Sequence, residues 1–71
     1  MIGHKTVFAI FSEYFPKYVE ESEKWFPNGK NSVRIRMKNK TEFIFTFENS
    51  RNWSFITLDE YMKKMKGTRT P

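Results

Sequence analysis

The chain has 71 residues, including eight Phe, three Tyr, two Trp and no Cys, and carries a formal charge of +5. That length makes one domain at most, spanning 1–71, with only about 60% of the unfolded surface buried and hence a marginal core. The missing Cys excludes disulfides and Cys-ligated zinc, and the single His4 excludes a His-rich metal site, leaving aromatic packing and self-association to compensate.

Residues 4–26 predict a helical segment. Val7, Phe8, Phe11, Tyr14, Phe15, Tyr18, Val19, Ser22, Trp25 and Phe26 recur every three or four positions. Glu13, Lys17, Glu20, Glu21 and Lys24 occupy the other side in i,i+4 pairs of opposite charge. Pro16 removes a helical hydrogen bond, so the segment either kinks near Ser12–Pro16 or divides into two short helices with Pro16 opening the second. Phe26-Pro27-Asn28-Gly29 ends it with turn chemistry. The longest early apolar run, Val7 to Phe11, is too short for a signal-peptide core or a bilayer span, so the expectation is a cytoplasmic protein without a membrane partner.

From Ser32 to Thr57 the pattern changes to period two. One face collects Val33, Ile35, Met37, Phe43, Phe45, Phe47, Trp53 and Phe55; the other collects Arg34, Arg36, Lys38, Glu42, Ile44, Thr46, Ser54 and Ile56. Three antiparallel strands are expected. Met37 should oppose Phe43 and Lys38 oppose Glu42 across a three-residue loop, Asn39-Lys40-Thr41. Phe47 should oppose Trp53, Phe45 oppose Phe55 and Ile44 oppose Ile56, around a loop of residues 48–52. Thr57-Leu58-Asp59-Glu60 is a capping box that opens a second helix. Leu58, Tyr61, Met62 and Met65 form its stripe, Lys63, Lys64 and Lys66 suit its C-terminal dipole, and Gly67 is its C′ residue. A flexible tail is expected over 68–71. The fold class is α+β: an N-terminal helical segment, a three-stranded antiparallel meander and a C-terminal helix.

Charge is unevenly placed, with residues 1–26 carrying −1 and residues 27–71 carrying +6. A basic surface favours anionic partners, and it equally serves solubility. The candidate ligand site is the stripe Arg34, Arg36 and Lys38 with Lys40 at the turn, flanked by Thr46 and Ser54. Side chains repeat there about every 7 Å on one face, close to the phosphate spacing of one nucleic-acid strand. An alternating strand also presents such a face simply to water. Ile44 and Ile56 argue that the face is partly covered, by the N-terminal helix or a second subunit. A separate candidate is an interface built from Phe8, Phe11, Tyr14, Phe15 and Tyr18 with Ile44 and Ile56, through which the chain homo-oligomerises. The sheet aromatics read as core, with Trp25, Phe26 and Trp53 near the ends as the exceptions that could stack on a base. Glu20, Glu21 and Glu23 spread around a helix beside Lys17 and Lys24, His4 has no catalytic neighbour, and the three glycines form no phosphate loop. No catalytic residue, metal site or cofactor is expected, and the chain does not read as an enzyme.

Residues 32–66, three strands followed by a helix, resemble in topology the DNA-binding domain of some phage-type integrases and plant transcription factors, a likeness that carries no motif. The run Asn31-Ser32-Val33-Arg34-Ile35-Arg36-Met37-Lys38, then Glu42-Phe43-Ile44-Phe45-Thr46-Phe47 and Trp53-Ser54-Phe55, resembles small proteins encoded by bacteriophages and prophages over residues 31–67. That resemblance implies a small, non-catalytic protein of the host cytosol, aimed at a host target as counter-defence proteins are. It transfers no functional residue. The leading expectation is an anionic ligand, nucleic acid or nucleotide, held by occupancy on the basic face. The rival is a protein–protein module that inhibits or scaffolds a host or phage protein.

Overall fold

The computed structural model describes residues 3–67. In chain order it has α1 (His4–Tyr14), α2 (Pro16–Glu20), β1 (Ser22–Pro27), β2 (Ser32–Met37), β3 (Glu42–Asn49), β4 (Asn52–Thr57) and α3 (Leu58–Gly67). The strands form one antiparallel sheet in the order β1-β2-β3-β4. The fold is therefore α+β with a four-stranded sheet. The expected tail over 68–71, and the side chains of Met65 and Lys66, lie outside the described residues.

The helical segment divides at Pro16, which sits in the first turn of α2 as a residue without an N–H should. The expected helix over 4–26 is corrected beyond Glu20, because Ser22–Pro27 is a strand. Trp25 and Phe26 have high strand propensity, and Pro27 restricts Phe26 to extended backbone. Only their pairing with β2 separates this reading from the helical one. None of the expected pairs Glu13–Lys17, Lys17–Glu21 and Glu20–Lys24 shares one helix, because α1 ends at Tyr14 and α2 at Glu20.

The β2–β3 register is also corrected. Ile35, not Met37, opposes Phe43, and Arg36, not Lys38, opposes Glu42. Met37 N donates to Thr41 O at 2.8 Å, so the three-residue loop is Lys38-Asn39-Lys40. Lys40 takes φ +77°, the left-handed residue that follows a type I turn in three-residue hairpins, and Thr41 N donates to Asn39 Oδ1 at 2.9 Å. The slip is two residues, an even number, so every side chain keeps its face. The β3–β4 pairs are as expected: Phe47 with Trp53, Phe45 with Phe55 and Ile44 with Ile56. The connection is shorter than expected, because Asn49 opposes Asn52 across Ser50-Arg51 after a register shift following Phe47.

Helix α1 lies on the odd-numbered face of the sheet. Val7, Phe11, Val33, Ile35, Met37 and Phe45 form the buried core, ringed by Phe8, Ile10, Phe15, Val19, Trp25, Phe43, Phe47 and Phe55. Phe11 sits 5.5 Å from the Phe45 ring and 5.4 Å from Phe55. His4 Nε2–H donates to Gly29 O at 2.6 Å, tying the start of α1 to the β1–β2 turn.

Helix α3 covers part of the even-numbered face. It contacts β3 and β4, and Asn28 Nδ2 donates to Tyr61 Oη at 3.5 Å, so the helix runs back across the sheet from the end of β4. Beneath it Ile44 is 1% exposed, although it belongs to the face away from α1. Glu60 N donates to Thr57 Oγ1 at 3.2 Å, the N-cap bond that the capping box anticipates.

Candidate anion site on the outer sheet face

Among the described residues the Lys24–Arg36 end of the even face keeps contact with water, Lys24 being exposed and Arg34 and Arg36 about a third exposed. There β1 sets Lys24 beside Arg36 and Phe26 beside Arg34. The Phe26 ring has Arg34 Cζ at 4.8 Å, Arg36 Cζ at 5.4 Å and Lys24 Nζ at 5.9 Å from its centre. The negative face of an aromatic ring attracts cations, and this one holds three within 6 Å.

Glu42 supplies the only carboxylate paired with this group among the described residues. Arg36 Nε donates to Glu42 Oε2 at 3.3 Å, and Arg34 Nε lies 3.3 Å from Oε1 as an ion pair out of line for a hydrogen bond. The Arg34 and Arg36 side chains are each about a third exposed, while Glu42 is less so at 19%. Three cations against one carboxylate leave a surplus of two positive charges. An anionic oxygen placed among them relieves their mutual repulsion, and a planar guanidinium can present two parallel N–H groups to it.

Of the expected ligand residues, the structure brings Arg34 and Arg36 together. Lys38 begins the β2–β3 loop instead, its N–H donating to Glu21 O at 2.8 Å. It lines an open cleft of about 570 Å³ with Lys17, Tyr18, Glu21 and Phe43. Lys40 Nζ pairs with Glu23 Oε1 at 3.3 Å. Thr46 Oγ1 donates to Ser32 Oγ at 3.1 Å, and Ser54 opposes Thr46 on β4, one row away from Arg34. Lys24 was missed by the sequence reading, and Phe26 entered it only as an end aromatic that could stack on a ligand. The signal that could have found them is the aromatic pair Trp25-Phe26 running into the Pro27-Asn28-Gly29 turn, which reads as a hairpin strand ahead of β2.

The expected interface residues divide. Phe11 is fully buried and belongs to the core, so it presents no surface to a partner. Phe8 stacks on Trp25 at 5.1 Å and Phe15 on Phe55 at 4.6 Å. Ile44 is under α3 and Ile56 is half-buried opposite it. Tyr14 and Tyr18 stay exposed, at 38% and 41%, and Trp53 joins them at 40%, its ring 5.2 Å from Tyr14. These three line the β4 side of the odd face.

No protein-family model, curated protein or solved structure matches the chain. Among the described residues no helix is long and apolar enough to cross a membrane, and no group of three His, Cys, Asp or Glu side chains could hold a metal ion.

Proposed function

We propose that this chain is a non-enzymatic binding protein that holds a phosphate-bearing ligand, nucleic acid or nucleotide, against Lys24, Arg34 and Arg36. The observation that carries the reading is the gathering of three cations around Phe26 with one carboxylate between them. Its action is occupancy: the ligand is covered, not transformed. The setting implied by the resemblance to phage-encoded proteins, counter-defence in a host cytosol, suits such a role.

The test is anisotropy of a labelled single-stranded oligonucleotide over a salt series. Three neutralised phosphates give a log–log slope of about −2. Replacing both arginines, Arg34→Gln with Arg36→Gln, should weaken binding at least tenfold while circular dichroism keeps the parent spectrum. Equal binding by parent and variant sinks the reading.

The exposed Tyr14, Tyr18 and Trp53 favour a second reading, a module that grips a host or phage protein. A pull-down from lysate, analysed for both protein and nucleic acid, separates the two. Recovery of a protein lost with Tyr18→Ser, and of no nucleic acid, supports the second.

A further inference from the structure

The two edges of the sheet are not alike. Asn28 N donates to Ser32 O at 2.9 Å, so even-numbered residues of β1 bond to β2, and Trp25 and Pro27 turn their main chain outward. Pro27 has no N–H to offer there, the β1–β2 register shifts between Ser22 and Lys24, and Glu23 and Lys24 add charge. Each is a device that discourages another strand from adding at an edge.

Strand β4 carries no proline and no charged side chain, and the register shift in its ladder lies in β3, between Phe47 and Asn49, at the far end of the pairing. Phe47 N donates to Asn31 O at 2.9 Å, so odd-numbered residues of β3 bond to β2 and even-numbered ones to β4. Ile44 and Thr46 therefore engage Ile56 and Ser54, and the N–H and C=O groups of Trp53 and Phe55 point out of the sheet. Asn52-Trp53-Ser54-Phe55-Ile56-Thr57 contains no charge and no proline. Helix α3 leaves β4 toward Asn28 and so away from this edge.

We propose that β4 pairs antiparallel with β4 of a second copy of this chain, about a two-fold axis at Phe55, extending the sheet through both molecules. The ends of the strand argue for a second copy as the occupant. Arg51 precedes β4 and Asp59 follows it, both exposed. With Phe55 opposite Phe55 of the second copy, Trp53 meets Thr57, and Arg51 in the turn before each strand comes to the end of the partner strand, where α3 opens with Asp59. Outward groups pair with outward groups in this register, giving about four main-chain hydrogen bonds. The exposed rings of Trp53 and Tyr14 flank the seam. One short strand from each copy makes a contact below the standard interface size, and hence a weak, concentration-dependent one. This inference is independent of the ligand and stands or falls without it.

The experiment is sedimentation equilibrium on three samples: Arg51→Glu alone, Asp59→Arg alone, and the two mixed in equal amounts. In each single variant both symmetric contacts become like-charged, which should weaken the parent dimer about tenfold. In the mixture every contact is again complementary, so a mixed dimer of near-parental affinity should form. A parent that stays monomeric at about 0.5 mM overturns the proposal. So does a mixture no more dimeric than its components, or single variants as dimeric as the parent.

Discussion

Glu42 decides how much positive charge the outer face presents. Its carboxylate lies 3.3 Å from both Arg34 Nε and Arg36 Nε, and is the most sheltered of the three side chains. Glu42→Gln keeps the shape and one acceptor but removes the counter-charge. The pair is partly exposed and screened, so urea unfolding should show a loss of only about 1 kcal/mol. Affinity for an anionic oligonucleotide should move the other way and rise roughly threefold to tenfold, because a repulsive charge beside the ligand is gone. Unchanged affinity would place the ligand away from Glu42 and remove the outer face as its seat.

Helix α3 is the element that converts an open basic face into a half-covered one. It starts from a single side-chain cap, Thr57, and roofs Ile44 and Ile56. Thr57→Ala removes the bond to Glu60 N and should cost about 1 kcal/mol. Hydrogen exchange should locate the loss, with amides of α3 exchanging faster than those of β2 and β3; uniform protection across α3 would refute the cap's role. This helix was legible in the sequence because its signals are local: a cap, a periodic stripe, a cationic end. The faces of β2, β3 and β4 were legible for a similar reason, since period two survives any even slip in register. What escaped was non-local. Tyr18, Val19, Ser22, Trp25 and Phe26 satisfy helical spacing, and only the presence of β2 alongside makes Ser22–Pro27 a strand. The β2–β3 slip arose at one residue, Lys40, whose left-handed backbone moves the loop toward β2. Half of the candidate site followed the same division. Arg34 and Arg36 were visible on an alternating strand, whereas Lys24 and Phe26 reach the site only through the strand that was read as helix. Phe11, read as a contact surface, is core because α1 lays it directly on Phe45 and Phe55 of β3 and β4.

A folded unit of 71 residues without cysteine must find its stability in something other than disulfides. Part comes from packing six fully buried side chains, Phe11, Phe45, Ile35, Ile44, Val7 and Val33, on both faces of one sheet. The aromatic rings around them supply large area with few rotatable bonds. Pairing through β4 adds a contribution that the monomer lacks, and mass action makes it visible. A folded state that dimerises gains on the unfolded chain as concentration rises above the dissociation constant. For a domain this small, each tenfold increase in that range should lift the melting temperature by roughly 3–5 °C. Asp59→Arg should flatten this dependence, and an equimolar mixture with Arg51→Glu should restore it. Reversing the charge in the first turn of α3 also costs the monomer about 1 kcal/mol through the helix dipole, but that ordinary destabilisation shifts the melt equally at every concentration, so a change in slope isolates pairing.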